Sequence, residues 1–184
     1  MIFAPDTEVA LGTVVALINS SVQASDGLLT RADLNEFLNE QGFTGSRTHN
    51  DAELRSVRQL RSQLRELWSA SEEEAVDRVN SILRNARALP QLVKHDGWEY
   101  HIHATTPEAP LSERMAVEAA MALVDVLRSS ELSRLRICAA EDCEAVLLDL
   151  SRNRSKRYCD TGNCANREHV RAYRQRKSEQ KTGL

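Results

Sequence analysis

Residues 51–70 of the chain read DAELRSVRQLRSQLRELWSA, and this stretch has the clearest periodicity in the sequence. Its apolar residues recur every three or four positions, which places them on one face of an α-helix. They are Leu54, Val57, Leu60 (or Arg61), Leu64, Leu67 and Trp68. The intervening arginines and Glu66 fall on the opposite face, where we expect solvent. The pattern therefore predicts an amphipathic helix over about residues 51–70 that buries one face in a core.

Similar patterns on both sides of this stretch predict four more helices. One covers Val9–Val22, and another follows Thr30, whose hydroxyl can cap it. Ser71 and Glu74 have the spacing of a capping box and open a helix that buries Val76, Val79, Ile82, Leu83 and Ala86 and ends before Pro90. The last of these helices runs from Ser112 to about Ser129. The sequence thus predicts a helical bundle.

One segment of the bundle has a different pattern. Residues 91–105 contain two short apolar runs around Asp96-Gly97, which predicts a small β-hairpin with that dipeptide in its turn. His101 and His103 then lie on the same face of the second strand. Two histidines in this arrangement can ligate a metal, but a polar strand face is the favoured interpretation.

Composition supports a mainly α fold. The chain has 184 residues, with only 7 Gly, 4 Pro and 4% aromatic residues, which argues against a β-sandwich or barrel. No apolar run approaches the roughly 20 residues that span a bilayer, and the first residues do not resemble a signal peptide. We therefore expect a cytoplasmic protein without a membrane partner.

Four cysteines lie close together in the sequence, with the spacing C-x4-C-x15-C-x4-C. They are Cys138, Cys143, Cys159 and Cys164. Two loops that each present two thiolates can enclose one tetrahedral Zn²⁺, and four protein ligands leave no open position for water. The alternatives are two disulfides, a redox switch or inert buried thiols. Because disulfides are rare in the expected compartment, one structural Zn²⁺ is favoured.

Charge is distributed unevenly along the chain. Residues 151–184 carry ten Lys and Arg against three acids, a net +7, so residues 1–150 carry −10 within the total of −3. From about Asn166 to Lys177 we predict a basic helix that follows the cysteines, with Val170 and Tyr173 docked against the zinc module. The candidate nucleic-acid contacts are Arg167, Arg171 and Arg174 on one helix face, and Arg152, Arg154, Lys156 and Arg157 as backbone contacts.

These features point to a DNA-binding protein or to a solvated helical tail, with an RNA-binding protein and a protein–protein adaptor as further alternatives. The sequence has no glycine-rich phosphate loop and no Gly-x-Ser-x-Gly or His-Glu-x-x-His motif, so we expect no enzymatic activity. Asn19 and Asn80 lie within apolar helical stretches. They line a pocket for a small-molecule effector or, as the favoured alternative, are satisfied core amides. A homodimer is compatible with the sequence.

The cysteine region resembles a known family. The motifs are Cys138-x4-Cys143, Asp149-x-Ser151-Arg152-Asn153, Arg157-Tyr158-Cys159 and Cys164-Ala165-Asn166-Arg167. They resemble the CGNR zinc finger, although Leu147 or Leu148 stands where Phe is usual, Tyr158 replaces Trp, and Ala165 replaces Gly. The resemblance covers residues 134–177.

Residues 1–130 are similar to the ABATE-type domain that accompanies this finger in bacterial proteins, through Leu17-Ile18-Asn19-Ser20, the Leu54–Trp68 helix and Asn80. The resemblance implies a stress-linked transcription regulator with a ligand-sensing body. It also implies a helical body over 1–130, a zinc finger over 134–178 and a tail over 179–184.

Overall fold

The computed structural model describes residues 2–22, 26–94, 97 and 99–182, with side chains described as far as residue 178. Within these ranges the chain forms six α-helices and two antiparallel strand pairs, so the predicted mainly α fold is confirmed. In chain order the elements are α1 (Pro5–Asn19), α2 (Arg31–Glu40), α3 (Asp51–Leu67), α4 (Glu72–Asn85), β1 (Gln91–Val93), β2 (His101–His103), α5 (Leu111–Arg128), a 3₁₀ turn (Leu132–Arg134), β3 (Leu135–Ile137), β4 (Val146–Leu148) and α6 (Cys164–Thr182).

Two helices begin at the capping residues that the sequence predicts. The hydroxyl of Thr30 accepts a hydrogen bond from the Asp33 amide at 3.2 Å, and the Asp33 carboxylate accepts one from the Thr30 amide at 2.7 Å. Ser71 and Glu74 form the same reciprocal pair at the start of α4. Each box pairs two backbone N–H groups that a helix start otherwise leaves without partners.

The bundle packs around α1, which contacts both α3 and α5, while α4 packs against α5. The predicted apolar face of α3 is buried, including Val57 and Leu64. On α1 the buried set contains Leu11, Leu17 and Ile18. The helix starts at Pro5, earlier than predicted, because proline is favoured in the first helical turn, where its missing N–H is not needed.

The buried face of α4 differs from the predicted one. Ala75 and Val79 are its buried residues, whereas Val76 is 39% exposed. Ile82 and Leu83 are only partly buried against the core. The helix is therefore rotated so that the narrow stripe through Ala75 and Val79 meets α5, and the prediction that Val76 is buried was wrong.

The predicted hairpin between α4 and α5 is confirmed. β1 and β2 pair antiparallel, with Gln91 opposite His103 and Val93 opposite His101. The predicted turn residues His95 and Asp96, and also Trp98, lie outside the described residues.

A second hairpin, which the sequence analysis did not predict, joins the bundle to the cysteine region. β3 and β4 pair antiparallel with Leu135 opposite Leu148 and Ile137 opposite Val146. All three residues of β4 are buried, and the strand packs against α1. Part of the cysteine region thus belongs to the core of the bundle.

Candidate metal centre and nucleic-acid interface

The four cysteines converge on one site. Cys138 directly follows β3, Cys143 lies in the loop to β4, Cys159 lies in the long loop after β4, and Cys164 opens α6. Their four Sγ atoms all lie within 4.8 Å of one another. The Cys143–Cys159 and Cys159–Cys164 sulfur pairs are each 3.7 Å apart.

These distances match a tetrahedral zinc site. Four sulfurs at about 2.3 Å from a central Zn²⁺ are separated from each other by about 3.8 Å. A disulfide requires a sulfur–sulfur distance of about 2.05 Å, and all four cysteines are free. Three are buried and Cys143 is half-buried. The residues therefore fit one structural Zn²⁺, as predicted, and the disulfide alternative does not fit them.

Backbone hydrogen bonds hold the loops that carry these thiols. The Cys138 amide donates to Ala145 O at 2.8 Å, and the Cys159 amide donates to the Cys138 sulfur at 3.4 Å. A Cβ atom at Gly162 would lie 3.0 Å from the Cys164 sulfur. Glycine at this position therefore lets the backbone approach the site closely.

The thiols have different acidities. Burial, reinforced by hydrogen bonding with the other thiols, raises the pKa of Cys143 to about 12. Burial also disfavours the Cys159 thiolate, but hydrogen bonds from Thr161 and the Gly162 backbone outweigh it and lower the pKa of Cys159 to about 7. Zinc binding must displace the remaining protons, so the site's affinity for zinc falls on acidification.

Arg167, a predicted DNA contact, belongs to the surroundings of this site. Its guanidinium forms two hydrogen bonds with the Asp142 carboxylate, at 2.8 and 3.2 Å, and donates to the Cys164 sulfur at 3.2 Å. The hydrogen bond to Cys164 raises the pKa of Arg167 above its usual value. Such a contact offsets the charge of a thiolate site and orients its ligand.

Three other predicted contacts form ion pairs on the surface. Arg171 pairs with Glu168 at 2.9 Å, Arg154 with Glu131 at 2.9 Å, and Lys156 with Asp160 at 2.6 Å, and each pair has an exposed member. Exposed pairs of this kind contribute about 0–1 kcal/mol. They can therefore open at little cost to another anion.

The remaining three predicted contacts are more available. Arg157 lies over the Tyr158 ring, 5.8 Å from its centroid. Arg152 and Arg174 are exposed, and neither forms an ion pair with any side chain in the described part of the chain. The structure therefore places the seven cations on two segments, the 151–157 loop and α6, and within the described residues Arg152, Arg157 and Arg174 form no ion pair.

A buried carboxylate shapes the 151–157 loop. Asp149 is fully buried and accepts hydrogen bonds from the Ser151 amide at 2.9 Å, the Ser151 hydroxyl at 2.5 Å and the Lys156 amide at 3.0 Å. Arg136 pairs with it at 3.3 Å. Burial disfavours the charge, but these hydrogen bonds outweigh it and hold the pKa of Asp149 below its usual value. Sequence reasoning noted Asp149 only as a motif residue and missed this role.

α6 extends away from the finger. Val170 is 41% exposed and Tyr173 is 59% exposed, so the prediction that they dock against the zinc module was wrong. The helix is anchored at its first turn, where Cys164 is buried and Arg167 is hydrogen-bonded. Beyond this turn nearly every described side chain is exposed.

The two candidate pocket residues lie in different environments. Asn19 is buried, and both ends of its amide bond to the backbone of Val146, each at 2.8 Å. This arrangement is that of a satisfied core amide. Asn80 is exposed on α4.

Residues of α3 and its C-terminal end donate one further hydrogen bond to β4, the strand that Asn19 contacts, and one to the loop that precedes it. Trp68 donates its indole N–H to Leu147 O at 3.1 Å, and Arg65 donates to the neighbouring Glu144 O at 2.7 Å. The sequence analysis missed this junction because the partners lie more than 75 positions apart.

The chain combines a helical bundle with a four-cysteine centre, and the β3–β4 hairpin connects the two. This combination defines a zinc-finger protein with a helical body. The ABATE family model, described as "Putative stress-induced transcription regulator", matches residues 12–130, and the CGNR zinc finger matches residues 134–177. The chain belongs to the ABATE family. Both matches agree with the predicted architecture, and neither family is one of enzymes.

No curated protein matches the chain. Across the described ranges, no helix is both long and apolar enough to cross a membrane.

Proposed function

We propose that the chain is a DNA-binding transcription regulator whose α6 and 151–157 loop contact DNA. The observation that carries this proposal is the exposed arginine face of a helix whose first turn is fixed by the metal centre. A helix held in this way can enter a groove or lie along phosphates without first becoming ordered. The family description, which concerns transcription regulation, points to the same function.

The charge distribution supports a defined orientation on DNA. The C-terminal 34 residues carry +7 and the rest of the chain carries −10. Phosphates attract the first part and repel the second, so the finger approaches DNA while the body faces away. The predicted cytoplasmic location is consistent with this function.

The cations have different roles in this proposal. Arg152 and Arg174, which have no ion pair in the described structure, contact DNA directly. Arg154, Lys156 and Arg171 exchange weak surface pairs for phosphate. Arg167 chiefly orients the first turn of α6, because it is already bonded to Asp142 and Cys164.

For the helical body, the proposal is that it binds a small-molecule effector and forms a homodimer. Thermal unfolding with and without candidate metabolites tests the effector, because a ligand of the native state raises the midpoint. The mass of the protein in solution, with and without DNA, tests the dimer. A cavity between α1 and α5 has a volume of only about 10 Å³, so an effector would have to open this part of the body.

The exposed apolar side chains of α6 favour a second candidate function. Val170 and Tyr173 lie close together on the helix and are available to a protein partner. A protein–protein adaptor would use this stripe, whereas a DNA-binding protein uses the arginine face. Replacement of Val170 by Ser and of Tyr173 by Ser therefore separates the two functions, because DNA binding should survive it.

The direct test is binding of the zinc-loaded protein to a random duplex library at several salt concentrations. We expect the double variant Arg152→Ala/Arg174→Ala to weaken binding and to reduce the salt slope by about two units, one for each lost phosphate contact. Arg55→Ala is the matched control, because Arg55 is exposed on α3 and forms no ion pair in the described structure. Unchanged affinity and slope in the double variant would refute the proposal, and preference for an RNA competitor would identify an RNA-binding protein.

A further inference from the structure

We infer that His101 and His103 form a second metal site, which binds a divalent transition-metal ion through the two Nε2 atoms. This inference concerns the helical body and does not depend on the proposed DNA binding. Neither histidine belongs to the cysteine centre. The site lies on β2, where the two residues occupy the same face of the strand.

The two ring nitrogens are already at the separation that a shared metal requires. His101 Nε2 and His103 Nε2 are 3.0 Å apart, and their rings meet edge to face with centroids 4.9 Å apart. Two imidazole nitrogens at about 2.1 Å from one metal ion are separated by about 3.0 Å in octahedral geometry and about 3.4 Å in tetrahedral geometry. The distance between the two nitrogens therefore need not change, and the rings turn so that both lone pairs face the ion.

The second nitrogen of His101 fixes which atom faces the metal. His101 Nδ1 lies 2.8 Å from the carbonyl oxygen of Glu99. A carbonyl oxygen only accepts hydrogen bonds, so Nδ1 carries the proton and Nε2 of the neutral ring has the lone pair. Histidines that ligate metals characteristically donate their other N–H to a backbone carbonyl in this way.

A polar strand face, the interpretation favoured from the sequence, explains why both histidines point to one side. The hydrogen bond between the two Nε2 atoms brings both nitrogens to a place where one ion can contact them. Without a metal, His103 Nε2–H donates to the lone pair of His101 Nε2. When a metal binds, the ion takes the place of this shared proton, and His103 adopts the tautomer whose Nε2 lone pair faces the ion.

The donor set indicates the class of metal. Imidazole nitrogen suits Ni²⁺, Cu²⁺ and Zn²⁺, whereas the four thiolates of the cysteine centre retain Zn²⁺. The described residues supply two ligands, and water fills the other positions. Both histidines are half-buried on a hairpin whose opposite face carries the exposed Ile102. The ion therefore reaches the site from solvent and exchanges readily.

The test uses the full chain with its cysteine centre filled by Zn²⁺ and then exposed to an excess of Ni²⁺. The protein is then dialysed against buffer with a known free Ni²⁺ concentration, and the content of both metals is measured in excess of that of the buffer. We expect one zinc and one nickel in the wild type, and zinc alone in His101→Gln and in His103→Gln. Each substitution should lower the affinity for Ni²⁺ at least tenfold, since loss of even an indirect partner of a metal ligand costs about that much.

The matched control is His169→Gln, because His169 is exposed on α6 and should not affect nickel binding. A second measurement needs no variant: paramagnetic Ni²⁺ should broaden the imidazole proton signals of His101 and His103 and spare that of His169. The chain has only five histidines, so these signals can be assigned. The inference is overturned if the wild type takes up no nickel, or if nickel uptake persists unchanged in both His101→Gln and His103→Gln.

Discussion

Asn19 on α1 and Val146 on β4 are joined by two hydrogen bonds of 2.8 Å each, and both bonds are buried. The side-chain amide of Asn19 occupies the position of a neighbouring strand, because it donates to the carbonyl and accepts from the amide of the same residue. One side chain thereby satisfies the N–H and the C=O of Val146. The strand that contains Val146 lies within the zinc-finger part of the sequence but packs in the core of the bundle.

Loss of this amide should destabilise the whole chain. Asn19→Ala leaves the N–H and C=O of Val146 buried without partners, and each such group costs about 1–3 kcal/mol. We expect the free energy of unfolding to fall by about 2–5 kcal/mol, measured by urea denaturation. Asn80→Ala is the control, since Asn80 is exposed on α4 and its loss should change stability by less than about 0.5 kcal/mol. Equal effects of the two substitutions would contradict the role assigned to Asn19.

Removal of zinc should change the environment of Trp68 and lower the stability of the helical bundle. The indole N–H of Trp68 bonds to Leu147 O, close to the cysteine loops. We expect a zinc chelator to change the fluorescence of Trp68 and to lower the midpoint of thermal unfolding of the helices. The measurement is made on Trp98→Phe, because the chain has two tryptophans. Unchanged fluorescence and an unchanged helical midpoint after complete zinc removal would show that the two parts are independent.

Arg167 should support zinc binding more than it supports DNA binding. Arg167→Ala removes the hydrogen bonds to the Cys164 sulfur and to Asp142, and we expect the affinity for zinc to fall by about 10- to 100-fold. Competition with a coloured chelator measures this change. Arg174→Ala, on the same helix, should leave the affinity for zinc unchanged. Identical zinc affinities in both variants would place Arg167 outside the metal centre.

The ion pair of Asp26 with Arg61 should contribute stability that acid removes. Hydrogen bonding to Arg61, at 2.7 and 2.8 Å, lowers the pKa of Asp26 to about 2. Because the pKa is depressed in the folded state, the contribution is fully present above the unfolded value of about 4 and disappears as the pH falls from about 4 to about 2. We expect the stability difference between wild type and Asp26→Asn to shrink over this range.

Urea denaturation at a series of pH values measures this difference. Zinc is lost from both proteins in acid, so the difference between them still reports on Asp26. Asp77→Asn is the control, because Asp77 is exposed on α4 and forms no ion pair in the described structure. A stability difference for Asp26→Asn that stays constant from pH 4 to pH 2 would contradict the assignment.

Local signals made part of this structure predictable. The period of α3, the capping boxes at Thr30 and Ser71 and the spacing of the cysteines each depend on residues close in sequence. The second hairpin was not predicted, because a strand of three residues such as β4 is too short to show a period. Its partner Asn19 lies 127 positions away, and no local pattern identifies such a contact.

The seven cations illustrate a different limit. Their residue types and spacing predicted a basic surface. The sequence could not distinguish Arg167, which is bonded to Cys164, from Arg174, which forms no ion pair with the side chains that the structure describes. That distinction depends on where the loop containing Asp142 passes. Similarly, the spacing of Val170 and Tyr173 correctly placed both on α6. It did not determine whether other residues of the finger pack against these two side chains and bury them.

Burial of β4 changes where the chain can be divided. The family matches meet between residues 130 and 134, yet Val146 and Leu148 belong to the core that α1 helps to form. A fragment that ends near residue 130 would lack a strand of its own interior and expose the apolar side of α1. A splice near residue 130 therefore separates the body from β4, and a splice after residue 148 divides the four cysteines between two chains. Body and finger should accordingly be exchanged between members of this family only as one unit.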